Sequence, residues 1–233
     1  MVQILLFSVV LMIGTTAQAH VGDYALESEI ERTARRSVAS DDASPLVALA
    51  EGLDDQPYWQ AFAYMQVCFC HSKAKSLVSE AARHALDAIE ACDETDVEVL
   101  ALRAMIEGVY GGMKGFPSVM RYGMRAGDHI EEALELSPDN PRALLVYAFS
   151  DFYRPRSLGG GDEVLAYAQR SLAVSSPSSP DSDASPYWGR RLAYGLLILY
   201  YKEIEDAPKM RETARAALVE YPGEKAFVNA AGL

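Results

Sequence analysis

Basic charge is scarce in this chain. Against 33 acidic residues it sets 21 Lys and Arg, a formal net charge of −12. That excess disfavours nucleic acid and anionic membranes as partners, because gripping phosphates requires a basic face that displaces counterions. Nor does any run of Lys and Arg along the chain make such a face. Catalytic signatures are missing too. There is no G-x-S-x-G elbow, no H-E-x-x-H pair and no G-x4-G-K-[S/T] loop. The four histidines, His20, His71, His84 and His129, stand singly on different segments, so no metal centre is expected. Glu131-Glu132 and Asp93-Glu94 are adjacent carboxylates that read as solvated surface. No catalytic residue and no cofactor is assigned, and an enzyme is not expected.

Cysteine is nearly absent as well. Cys68 and Cys70 lie two apart on a helical stretch and point about 200° away from each other, so they cannot both reach Cys92. Two readings stay open: three small buried hydrophobes, or a bridge from Cys92 to Cys68 with one thiol left over.

What the chain does have begins at its first residues. Val2 to Ile13 is apolar apart from Gln3 and Ser8, and Ala17-Gln18-Ala19 supplies a small-x-small cleavage site. The run is too short to span a bilayer. The expectation is a secretory signal peptide over residues 1–19, although no Lys or Arg precedes the apolar run. The mature chain would start at His20, in the periplasm or secreted, with no integral membrane span and no lipidated cysteine.

Beyond the leader a pattern recurs. "RHALDAIEAC" (83–92), "EEALELSPDN" (131–140), "RSLAVSSPSS" (170–179) and "RAALVEYPGE" (215–224) share a charged residue followed by small and apolar residues at helical spacing. Leu86, Leu134, Leu172 and Leu218 mark the register, 48, 38 and 46 residues apart. Ahead of each lies another apolar helical stretch: Trp59 to His71, Val97 to Tyr110, Arg142 to Tyr153 and Tyr187 to Tyr201. Two of these open on the same tripeptide, Pro-Tyr-Trp, at 57–59 and 186–188, which holds both tryptophans of the chain. Four helix-turn-helix units follow from this arrangement.

Trp59, Phe62, Ala63 and Gln66 keep the spacing W-x2-L-G-x2-Y, and Ala133 to Pro138 has the matching second-helix ending. The chain thereby resembles the tetratricopeptide repeat family. Departures are the repeat length, above the usual ~34 residues, and Gln66 and Asp151 where the pattern has an aromatic. "LSPDNPR", "RPRSLGGGDEVLAYAQRSL" and "PYWGRRLAY" are similar to exported bacterial tetratricopeptide proteins. More loosely, the chain is similar to the tetratricopeptide component of tripartite periplasmic uptake systems. The resemblance implies an all-α solenoid of helical hairpins with a small residue at Ala63, Ala148 and Ala193, where paired helices approach.

The expected organisation is therefore capping helices within 20–54 and a tetratricopeptide-like solenoid over 55–233. Its hairpins are placed at about 56–92, 95–137, 141–176 and 186–222. Residues 23–39 carry Leu26, Ile30, Ala34 and Val38 on one stripe, and Pro45 to Glu51 is a short helix stopped by Gly52; an end repeat needs such a polar-backed cap. "SPSSPDSDASP" (176–186) has almost nothing apolar with which to pack and reads as a linker.

"YRPRSLGGGDE" (153–163) offers an anion site built from Arg154, Arg156 and glycine amides, or a plain helix corner. The corner is favoured, with Asp162 as the cap of the next helix. In tetratricopeptide arrays the first helix of each unit lines the concave side. By that register the inward positions are Gln60, Tyr64, Arg142, Phe149, Phe152, Tyr153, Tyr187, Arg190 and Tyr194. Tyr and Arg anchor interfaces, and the two guanidinium groups would be positive spots for a carboxylate, unless the aromatics simply pack between repeats. The expected function is an exported, non-catalytic scaffold for a protein or peptide partner. The alternative is a periplasmic solute binder associated with a transporter.

Overall fold

The computed structural model describes residues 23–71, 73–175 and 187–233, and among them every regular element is a helix. The expected leader and the linker at 176–186 lie outside the described residues.

α1 (Tyr24–Ser40) starts where Asp23 accepts from the Leu26 amide at 3.0 Å and stops at Asp41 in a left-handed conformation. α2 (Ser44–Glu51) carries Pro45 in its first turn, a position where a missing amide hydrogen removes no bond. Four antiparallel pairs follow: α3 (Pro57–Cys70) with α4 (Lys75–Ile89), α5 (Val97–Met113) with α6 (Ser118–Leu136), α7 (Pro141–Tyr153) with α8 (Val164–Val174), and α9 (Arg190–Glu203) with α10 (Ala207–Glu220). α3, α5, α7 and α9 lie side by side in that order. A last helix, α11 (Lys225–Ala231), packs Phe227 against α10 and was not foreseen from sequence.

The division of labour within each pair follows from residue distribution. Ten of the fourteen residues of α3 and eleven of the seventeen of α5 are buried, because those helices are mostly apolar on every face, with the charged Glu98, Arg103 and Glu107 of α5 buried in ion pairs, and belong in the middle of the array. In α6 only Ala126, Ile130 and Ala133 are buried among nineteen residues, which makes it an outer helix with one apolar stripe. Ala63, Ala148 and Ala193 are fully buried, as close helix approach requires. The result is an all-α helical-hairpin solenoid with N-terminal capping helices.

The array does not stay open. Trp188, just ahead of α9, is turned inward and buried; its indole N–H donates to the Tyr58 hydroxyl at 2.8 Å, and its ring lies 5.6 Å from Phe62. Gly189 makes the turn possible. Its φ is +112°, and a Cβ there would sit 3.1 Å from the Leu145 side chain, so an L side chain would be strained on both counts. Tyr187 continues the contact: its amide donates to Glu27 at 3.0 Å and its ring lies 4.9 Å from Tyr24. The fourth hairpin therefore touches the first hairpin and the cap.

Candidate functional site

The nine groove positions divide by location. At one end of α7, Arg142 is buried and forked onto Glu98 of α5: its Nε donates to Oε2 at 2.6 Å and its second nitrogen to Oε1. Asn140 donates to the same carboxylate at 2.7 Å, while its own oxygen caps α7 by accepting from the Arg142 and Ala143 amides at 2.9 Å. Arg190 is forked onto Glu220 at 2.5 and 2.7 Å and also donates to the Leu172 and Ser175 carbonyls at 2.6 and 2.9 Å. It thus sits at the electronegative end of α8. The Tyr194 hydroxyl donates to Glu220 at 2.7 Å, and the Arg190 pairing holds the Glu220 carboxyl below its ordinary range. Both guanidinium groups therefore already have carboxylate partners from their own chain.

Three more of the nine are occupied by packing. Gln60 donates to the Ala50 carbonyl at 3.1 Å and ties α3 to α2. Tyr64 is buried and stacked on His84 at 5.1 Å. Tyr187 lies against α1, and burial raises its hydroxyl pKa.

What remains accessible gathers at the C-terminal end of α7. Phe149 and Phe152 are half-buried, and Tyr153 is 70% exposed. Tyr153 stacks parallel to Phe149 at 6.4 Å and meets Phe152 edge-on at 5.1 Å. Spacing of four places Phe149 and Tyr153 one turn apart on the same face. The helix ends at Arg154, whose backbone is extended.

The triple-glycine segment is a corner, with one correction. Asp162 is exposed and caps nothing; the carboxylate that serves the amides is Asp151, buried on α7, which accepts from Gly161 at 3.0 Å and Glu163 at 2.9 Å. Asp162 lies before the helical turn whose amides need an acceptor, whereas Asp151 faces it across the hairpin. A Cβ on Gly160 would collide with the Arg154 carbonyl, so glycine there is a packing requirement. The position an anion would take is filled by Asp151.

Sequence reasoning also missed a buried carboxyl. Glu27 of α1 has no exposure; one oxygen accepts from the Tyr187 amide, and the other has no hydrogen-bond partner among the described residues. Burial pushes its pKa up to about 8. Glu107 is likewise buried, 2.9 Å from both His129 and Arg125. The three cysteines carry free thiols, and burial pushes Cys68 up to about 12 and Cys92 up to about 11.

The first two hairpin turns gather basic side chains that the linear sequence keeps apart, with Asp42 at the end of α1 beside His71 as the acid near that edge: Ser37 donates to the Asp42 carbonyl at 2.6 Å and meets His71 at 2.7 Å. The turn before α4 carries Lys73, with Lys75 opening α4 itself, and the turn between α5 and α6 carries Lys114 and, one turn into α6, Arg121. The Lys114 ammonium donates to Ser79 at 3.5 Å, which brings these two turns together. At the opposite edge the connections hold Asp54 and Asp55, then Glu90, Asp93, Glu94 and Asp96, then Asp139. The pairing is between residues about forty apart in sequence, so a linear reading cannot see it.

Two surface depressions lie largely apart from these positions. A shallow depression of about 450 Å³ lies between α1 and α2, bordered by Glu29, Thr33, Arg36 and Leu49. Another of about 390 Å³ is bordered by Gln169, Tyr194, Leu197, Tyr201 and Lys209. Both are open to solvent, and of the nine groove positions only Tyr194 borders either one.

No family profile and no curated protein matches the chain. Several solved structures are similar to it, among them the following two. A thermophilic TPR protein of Thermus thermophilus superposes with a TM-score of 0.55 at 13% identity, over 88% of this chain and 97% of that one; the likeness is one of fold. The haemophore HusA of Porphyromonas gingivalis superposes with a TM-score of 0.52 at 26% identity, over 75% of this chain and 94% of that one. The fold is tetratricopeptide-like.

Proposed function

We propose that the chain is an exported, non-catalytic scaffold of the cell envelope that binds a protein or peptide partner through the aromatic end of α7. Tyr153 carries the reading: a tyrosine 70% exposed, backed by Phe149 and Phe152, offers rigid area together with a polar tip, the combination that anchors interfaces. The N-terminal ends of α3 and α7 and the approach to α9 are filled by Tyr58, Phe62, Arg142 and Trp188, so a partner would engage the C-terminal end of α7. Export rests on the apolar leader and its Ala17-Gln18-Ala19 site.

The test is photocrosslinking from residue 153 in living cells, with Phe152→Ala as a companion variant. A discrete envelope protein should be captured and should be lost with Phe152→Ala. Labelling at background level would refute the partner. N-terminal sequencing of exported protein should begin at His20; a chain still beginning at Met1 would refute export.

A second reading, the solute carrier, is favoured by one observation, the similarity to a haemophore at 26% identity. On it, the same aromatic cluster would take a flat tetrapyrrole. Titration with hemin separates the readings: a saturable Soret shift lost with Tyr153→Ala supports the carrier, and an unaltered spectrum supports the scaffold.

A further inference from the structure

The edge formed by the first two hairpin turns joins positive charge to exposed apolar side chains. From Gly108 to Gly127 this acidic chain has no Asp or Glu, yet it carries Lys114, Arg121 and Arg125. In the same stretch Phe116 is 80% exposed and Met124 63%, with Val119 and Met120 also exposed. Phe116, Met120 and Met124 are four apart, which lines them up along the outer face of α6 and the turn before it. Lys73 on the neighbouring turn and Lys75 at the start of α4 are exposed. Arg125 is held by the buried Glu107 at 2.9 Å, and the Arg121 guanidinium lies 5.0 Å from the Tyr122 ring centre. The third turn is different: Arg156 pairs with Glu203 at 3.4 Å and Asp162 and Glu163 follow, so its charge is balanced.

We propose that this edge docks on an anionic lipid surface, with Phe116, Met120 and Met124 entering the interface and Lys73, Lys75, Lys114 and Arg121 facing the headgroups. Cations beside exposed large apolar side chains match a bilayer interface, which offers both anionic charge and hydrocarbon. A nucleic acid would use the charge but leave the methionines and Phe116 in water. Net charge does not forbid it, because at physiological salt fields decay over about 8 Å, and the acids of the opposite edge point away. The arrangement orients the molecule: basic edge down, acidic edge outward.

Vesicle co-sedimentation tests it, using protein purified with its natural N-terminus, whichever residue that is, so that all variants share it. Binding should be seen with vesicles containing phosphatidylglycerol, fall with added salt, and be weak on phosphatidylcholine alone. Each interfacial cation contributes about a fivefold change, so Lys73→Gln/Lys75→Gln/Arg121→Gln should weaken binding roughly 100-fold. Met120→Gln/Met124→Gln should weaken it even at low salt. Arg211→Gln/Arg215→Gln, on α10, removes charge elsewhere and should leave binding unchanged. Circular dichroism confirms that each variant is folded. The proposal is overturned if the protein does not sediment with anionic vesicles, if it binds both vesicle types equally, if the α10 variant loses as much, or if the methionine variant binds normally. Tighter binding to a DNA duplex than to anionic vesicles, lost with the same lysines, would assign the edge to nucleic acid instead.

Discussion

Trp188 and Tyr58, 130 residues apart, meet through a 2.8 Å hydrogen bond from indole to hydroxyl. Each comes from one of the two Pro-Tyr-Trp tripeptides, and both are buried. In a solenoid each unit contacts its neighbours; here the fourth hairpin reaches the first as well. That closure fills the N-terminal ends of α3 and α7 and leaves the C-terminal end of α7 for a partner.

Glu98 receives three donated bonds from Arg142 and Asn140 at a buried site. Removing it alone strands a guanidinium without a partner, which costs about 3–5 kcal/mol. Glu98→Ala should lower the urea midpoint accordingly, and Glu98→Leu/Arg142→Met should recover much of the loss. A single variant as stable as the parent would show that the pair is solvated.

Glu27 gives the fold a pH dependence of definite sign. Its pKa is pushed from the ordinary 4.5 up to about 8 by burial, so between those values the folded chain holds a proton that the unfolded chain has released. Stability therefore falls as pH rises through that window and levels off above it. Arg142 draws the value down and Glu31 raises it. Glu27→Gln should flatten most of the slope and stabilise the protein at pH 8 on the order of a few kcal/mol. Urea midpoints from pH 5 to 9 measure this; parallel profiles for variant and parent would contradict it. Glu31, also raised by burial, should leave a residual slope of the same sign.

Asp151 holds the corner at Gly159 to Gly161 through two amides. Asp151→Ala should cost about 1–3 kcal/mol, since the buried Gly161 amide and the partly buried Glu163 amide lose their acceptor, and should speed hydrogen exchange at Gly161 and Glu163. Unchanged exchange there would mean that another group satisfies these amides.

The cysteines bear directly on the fold's chemistry. Their thiols are unpaired, and burial keeps Cys68 and Cys92 protonated at neutral pH. A thiol-reactive disulfide reagent should label them slowly in the native protein and count three thiols after unfolding without reductant. A count of one would establish the Cys68–Cys92 bridge.

Helical periodicity, the repeated leucines and the buried Ala63, Ala148 and Ala193 made the paired-helix architecture legible. Of the nine groove positions, Phe149 and Phe152 are half-buried and Tyr153 is exposed. Arg142 and Arg190 are taken up by Glu98 and Glu220, which lie 44 and 30 residues away, and side-chain pairing at that distance leaves no local signature. The cap by Asp151 was hidden for the same reason: it sits at a pattern position where an aromatic was expected, and nothing nearby reveals that it faces the next turn. α11 was missed because seven residues give too little periodicity to register. The basic edge arises from turns brought together by hairpin stacking, which composition averages away.

The meeting of first and fourth hairpins is tested most directly by a double-mutant cycle of Tyr58→Phe and Trp188→Phe, read in urea denaturation. A direct hydrogen bond predicts a coupling of about 0.5–1.5 kcal/mol between the two changes. Additive effects, with coupling inside experimental error of zero, would contradict the closure and reopen the N-terminal ends of α3 and α7 as a binding groove.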